Sequence, residues 1–370
     1  MARSRRSLGG GGLLVADIPA CALLAPGRRG ASTPRNATVI SLRPLTMAVL
    51  TRLRRLFTAG APTASVEIAA DRVTGLTLGR EPGRDVTAVV TEALPDGSLT
   101  PTANATNIAD RTAVGEAVSR VLKQLPGTPS RVALVVPDSA AKVSLMTFEQ
   151  IPARAADLDQ LVRWQARKTA PFRVEDAQVV YSPGLPTEDG GRELVVSLMR
   201  RDIVEEYEAV CASGGGHAGV VDLASFSVVN AVLAGGGAHE DDWLLVHVAH
   251  GYSTIAIVRR GRLILFRNRP AEGDGSLADL VHQTTMYYED RLQGAGFGRV
   301  FLAVSAANTA PEDAAILRRS LEPRLGTAVE AIDLGVLGAN GPGTGGVRPD
   351  LMAAPLGLLL RERLETERGA

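Results

Sequence analysis

The stretch Val246-His247-Val248-Ala249-His250-Gly251-Tyr252-Ser253-Thr254 sets a glycine turn between two strand-like runs, with two hydroxyl residues directly after it. A glycine at such a turn lets backbone N–H groups converge on a phosphate, and Ser253 and Thr254 stand where hydroxyls would complete the cradle. Other groupings are poorer. Gly338–Gly346 is glycine-rich, but Pro342 and the lack of a lysine–hydroxyl pair fit a connector, not a phosphate loop. Neither Cys211 with His217 nor His239-Glu240-Asp241-Asp242 has the spacing of a known metal site. No serine or cysteine lies in the context of a nucleophile elbow, so hydrolase chemistry of that kind has no support.

The elements that must position these residues are short strands with helices between them. Strand-like runs are Ala64–Ala69, Val73–Leu78, Val86–Ala93, Val132–Val136, Val143–Phe148 and Leu194–Met199. Those that follow are Val220–Leu223, Leu244–Val248, Thr254–Val258, Arg262–Arg267, Val300–Val304 and Val329–Ile332. Helical stripes are predicted over Arg111–Gln124, Asp202–Ser213, Ser276–Leu292 and Pro311–Leu325, and Cys211 falls on an apolar face as a core residue. Mixed strands with interleaved helices, recurring in two halves, predict an α/β (mixed α+β) chain of two lobes. Gly235–Gly237 and the loop Glu240–Trp243 read as the hinge.

The bulk numbers exclude several classes. The 370 residues suffice for two cores, and a net charge of zero leaves no whole-molecule field to gather nucleic acid or an anionic membrane. Aromatics at 4% argue against a base-stacking surface. The two cysteines, Cys21 and Cys211, make no disulfide framework. No apolar run reaches the roughly 18 residues of a spanning helix, and Asp17 and Pro19 spoil a signal-peptide reading of the first residues. Residues 1–62 read as a disordered, basic lead-in, non-periodic to about Thr46 and then briefly amphipathic at Leu50, Leu53 and Leu56-Phe57, with Met47 as the expected true start.

In sequential pattern the chain resembles the type IV pilus assembly protein PilM family, actin-like and related to FtsA. Leu56-Phe57 ends the basic lead-in, Glu67-Ile68-Ala69 stands for an Asp-Ile-Gly strand, and Val136-Pro137-Asp138 matches an Ile-Pro-Asp strand end. Ile151-Pro152 precedes a helix that ends at Ala170-Pro171-Phe172; Pro171 is expected to stop that helix and free Phe172 to turn inward. Ala218-Gly219…Val221-Asp222, the Val246–Thr254 hairpin with Arg267 after it, and Gly357-Leu358-Leu359-Leu360-Arg361 complete the series. The resemblance implies an actin-like fold of two RNase H-like domains. Lobe I would span 63–238 with an inserted subdomain at about 138–192, lobe II 239–348, and a C-terminal helix at 349–370 would return to lobe I.

It also implies a cytoplasmic scaffold, peripheral at the inner face of the inner membrane, that grips the cytoplasmic tail of a PilN-like protein. Contact with other platform components and self-association are further implied partners; nucleic acid is not, and membrane contact is only indirect. The groove is expected at Phe148, Ile151, Leu161, Trp164 and Phe172, with Arg163 and Arg167 on its rim. Nucleotide would meet Glu67, Gly251, Ser253 and Thr254. The chain departs from the family pattern at these loops: His247 replaces an aspartate, Ala249 a glycine, and Ser305-Ala306-Ala307 a Gly-Gly loop. The departures predict weak or absent ATP hydrolysis and no assured ATP/Mg²⁺ cofactor. The alternative is a working actin-like ATPase driving or regulating pilus assembly. A GspL-like secretion component is disfavoured by the polar segment after Arg361.

Overall fold

The computed structural model describes residues 61–79, 85–187, 190–237, 241–273, 275–339 and 341–368. The lead-in, with Cys21 and Met47, and the His239-Glu240 pair lie outside them.

Two five-stranded sheets share one construction. In the first, β1 (Ala64–Ile68), β2 (Arg72–Leu78) and β3 (Val86–Ala93) form an antiparallel meander. Strand β4 (Arg131–Val136) joins β1 in parallel and β8 (His217–Leu223) joins β4, for an order of β3-β2-β1-β4-β8. In the second, β9 (Trp243–Ala249), β10 (Tyr252–Arg259) and β11 (Arg262–Pro270) repeat the meander. Strands β12 (Arg299–Val304) and β13 (Val329–Ala331) extend it in parallel, giving β11-β10-β9-β12-β13. Trp243, expected in the hinge loop, opens β9 instead; its ring is buried and stands edge-on to Phe301 at 5.6 Å.

A third sheet, antiparallel in the order β5-β7-β6, is inserted after β4. It consists of β5 (Lys142–Phe148), β6 (Ala177–Pro186) and β7 (Arg192–Arg200), and β7 runs past Arg192, where the insertion is expected to end. Helix α1 (Arg111–Gln124) has its predicted span, and Asp110 caps it by accepting a bond from Ala113 N. Helix α2 (Ala155–Ala166) lies on the inserted sheet and stops four residues before Ala170. Two bonds to the Ala166 carbonyl, from Thr169 N and Ala170 N, turn the chain there. Pro171 therefore follows a helix that has already ended.

Helix α3 (Arg201–Ser213) buries Cys211 as expected, and burial pushes its thiol up to about 12. Helices α5 (Leu277–Leu292) and α6 (Pro311–Leu325) cover the outer face of the second sheet over Leu244, Val246, Ile255 and Ile257. Two further helices, α4 (Ala224–Val232) and α7 (Pro349–Arg368), pack against each other. They belong to one continuous core that runs from the first sheet to the opposite face of the second, at Trp243, Leu245, Ala256 and Phe301. Every residue of α7 from Leu351 to Arg361 is buried.

Candidate functional site

The turn between β1 and β2 and the turn between β9 and β10 face one region, which is packed with charge. Arg72 opens β2 and is fully buried. Its guanidinium donates to Glu67 at 2.9 Å and to Asp71 at 3.0 Å. Asp71 also accepts a 2.7 Å bond from the backbone N–H of Ala307, on the loop after β12, so it links the two five-stranded sheets. That loop is gripped from its other side by Arg348, which donates to the carbonyls of Ala306 and Thr309, both at 2.6 Å. Burial pushes the Glu67 carboxyl above its ordinary range, against the pull of Arg72.

Beneath this lies a knot of hydrogen bonds centred on Asp138. Its buried carboxylate accepts from Ser225 N (2.9 Å), from the Ser225 hydroxyl and from Thr254 Oγ1 (2.7 Å). With its own hydrogen directed at Asp138, Ser225 Oγ accepts from His247 Nδ1 at 2.8 Å. His247 is thereby the Nδ1–H tautomer, and its Nε2 accepts from Ser305 Oγ at 2.8 Å. On the other arm, Asn268 donates to Thr254 Oγ1 (2.9 Å) and accepts from Ser139 Oγ (3.0 Å). All these donors run toward one carboxylate.

His247 stands 3.9 Å from Asp138 but is not its ion-pair partner. Burial, aided by the Arg72 charge, pulls its pKa from 6.5 down to about 3. The folded state therefore holds it neutral while the unfolded chain binds a proton between these values. This group contributes stability that is complete above pH 6.5 and is lost as pH falls toward about 3. Urea titrations across that window are expected to show the stability gap between wild type and His247→Asn widening with rising pH, then flattening. A constant gap would mean that His247 is charged in the fold.

Of the expected nucleotide residues, Glu67 and Thr254 are buried and spent on Arg72 and Asp138. Gly251 is exposed on the turn at φ +83°, which glycine adopts without strain, and Ser253 is half-buried beside it. Ser225 and Asn268 had no sequence signal. Arg72 had one: a charge at the head of a strand that is otherwise apolar or neutral. Among the described residues no group of three or more His, Cys, Asp or Glu side chains converges to hold a metal ion.

The expected docking residues gather on the inserted sheet. Phe148 is buried in its core, and Ile151, Leu161 and Phe172 pack half-buried against that core. Trp164 is 55% exposed, with Lys168 Nζ 4.3 Å from its ring centroid. Arg163 pairs with Asp159 at 2.8 Å and Arg167 with Glu175 at 2.6 Å. Leu161 and Trp164, three residues apart, are neighbours on the surface of α2.

Residues 66–293 match the model of a family described as type IV pilus assembly protein PilM. The chain belongs to the PilM family. A solved structure described as the PilM-PilN type IV pilus biogenesis complex is 14% identical, with a TM-score of 0.70 over 82% of this chain and 99% of that one. An actin-like ATPase fold protein of unknown function from Bacteroides thetaiotaomicron is 10% identical, with a TM-score of 0.45 over 82% and 97%. The cytoplasmic domain of EpsL from the Vibrio cholerae type II secretion system is 11% identical, with a TM-score of 0.44 over 78% and 97%. No curated protein matches the chain.

The fold is actin-like, as the paired meander-plus-parallel sheets and the PilM structure show. Two PilM-like motifs far apart in sequence meet in it. Asp222, from Ala218…Asp222, is buried against the guanidinium of Arg361, from Gly357…Arg361. Burial still holds the Asp222 carboxyl up at about 6. No helix among the described residues is long and apolar enough to cross a membrane.

Proposed function

We propose that this PilM-family chain is a cytoplasmic docking platform that holds the N-terminal tail of a PilN-like inner-membrane protein on its inserted sheet, and that it does not cycle ATP. The docking half is carried by the Trp164 indole, exposed on a helix whose opposite face, at Val162 and Ala166, closes a small core. Large exposed aromatics beside apolar neighbours are the usual anchors of peptide recognition. Arg163 and Arg167, already paired with Asp159 and Glu175, supply a polar rim. A protein similar to this one in fold was solved in a structure described as the PilM-PilN type IV pilus biogenesis complex, and that likeness supports a PilN-like partner.

The nucleotide half follows from the donors and acceptors at the two turns. Mg²⁺ needs oxygen ligands, and phosphate needs free N–H groups or cations. Glu67 and Asp71 are both paired with Arg72, the Thr254 hydroxyl serves Asp138, and Ala307 N is taken by Asp71. These residues do not fit a metal–triphosphate, because admitting one means breaking buried ion pairs and hydrogen bonds first.

Anisotropy with a labelled PilN-like tail peptide tests the first half. Trp164→Ala is expected to weaken binding about 30-fold, a hot-spot loss of roughly 2 kcal/mol, with the melting temperature unchanged. Undiminished affinity in a folded variant would remove the docking site from α2. Calorimetric titration with Mg-ATP is expected to give no binding heat at micromolar concentrations, and a low-micromolar Kd would overturn the second half.

A further inference from the structure

A second cleft lies away from α2, where β11 of the second five-stranded sheet crosses the inserted sheet in contact with both β5 and β6. Strand β5 is the outer strand of β5-β7-β6, and β11 is the outer strand of β11-β10-β9-β12-β13. β11 is tied near its ends to β6 of the inserted sheet and to the turn that precedes β5. Arg262 donates to the Pro183 carbonyl at 2.8 Å, and Ser139 bonds Asn268 at 3.0 Å. Between those ties a cavity of about 620 Å³ opens along Ile264–Asn268 on one side and Ala141–Val143 with Leu145 on the other. Apolar walls alternate with two cations, Lys142 and Arg267, both exposed, and among the described residues no carboxylate lines the cavity. Tyr287 of α5, half-exposed, stands at the same cleft.

We propose that this cleft is a second docking site, which takes an extended acidic segment of a partner protein as an added strand. Outer strands carry main-chain N–H and C=O groups that a further strand satisfies, and such capture reads side chains at alternate positions. The apolar walls accept one set of alternate side chains, and Lys142 and Arg267 select carboxylates in the other. Among the described residues the Arg267 side chain is bonded to the uncharged Thr284, at a long 3.3 Å, which leaves its charge for a ligand. Because the walls come from two different sheets, the added strand would also clamp the inserted sheet to the second lobe. The site shares no residue with the α2 surface, so it stands or falls separately from the PilN-tail reading.

The test uses the full chain and a fluorescein-labelled heptapeptide, Val-Glu-Val-Asp-Val-Glu-Val, with a control in which lysine replaces each acid. The acidic peptide is expected to bind and the lysine peptide not to. Lys142→Glu with Arg267→Glu should weaken the acidic peptide about tenfold or more, and added salt should weaken it in wild type. Trp164→Ala should leave this binding unchanged. Should the double variant melt early, the single exposed substitutions Lys142→Ala and Arg267→Ala give the same comparison with smaller losses. Binding of both peptides alike, binding of neither, or insensitivity to all the variants would overturn the proposal.

Discussion

Arg72→Met is expected to lower the free energy of unfolding by about 3–5 kcal/mol, the range found when one partner of a buried ionic cluster is removed. The methionine fills most of the space, so packing is not the main cost. What remains is two buried carboxylates, Glu67 and Asp71, without the guanidinium that held both within 3.0 Å. Glu67 already sits above its ordinary range through burial, and without Arg72 it rises further and takes up a proton. The deficit should therefore be largest at neutral pH and shrink in acid, where Glu67 is protonated in either state. Urea unfolding followed by circular dichroism reads the loss. The companion variant Arg72→Met/Glu67→Gln should recover part of it, since the orphaned charge is gone. Additive losses from the two changes would mean that the pair is not energetically coupled, and would sink the explanation.

Gly357→Ala is expected to cost about 3 kcal/mol or more, at and beyond the upper end of ordinary overpacking. Intrinsic propensity points the other way, since alanine in a helix interior is favoured over glycine by roughly 1 kcal/mol. Position decides. A Cβ on Gly357 would lie 1.8 Å from the Ser227 carbonyl oxygen and 2.8 Å from Ala231 N. Both are backbone atoms of α4, so neither can rotate away, and α4 and α7 would have to move apart within the core that joins the two sheets. Gly115 in α1 is the control, because a Cβ there meets the tip of the Ser213 side chain at 2.6 Å, and a hydroxyl can turn aside. Thermal melting should show a large fall for Gly357→Ala and little change for Gly115→Ala. Equal shifts would mean that the α4–α7 contact is looser than its geometry.

The outcome at α4 explains what a linear reading misses. The helix Arg111–Gln124 was legible because one face is apolar and the other polar, which imposes a period. Helix α4 was not, because every residue of Ala224–Val232 except Asn230 is buried, and an apolar run without a period does not declare its type. For the same reason the buried part of α7 showed as a motif ending in Arg361, not as an amphipathic stripe. At α2 the sequence located the stop within a few residues, but the turn bonds to Ala166 set it before Pro171 acted.

The sequence by itself determined most of the elements and their order, α4 apart, and through seven motifs in series it pointed to the PilM family and to a two-lobed actin-like fold. Alternation, helical stripes and proline or glycine breaks are local, so they survive in one dimension. Only the tertiary structure decided which partners the residues at the β1–β2 and β9–β10 turns take. Asp71 reaches Ala307 across 236 positions, Thr254 reaches Asp138 across 116, and His247 lies between Ser225 and Ser305. Hydrogen bonds and buried charges are satisfied by whichever group the fold brings within about 3 Å. No spacing along the chain encodes that meeting.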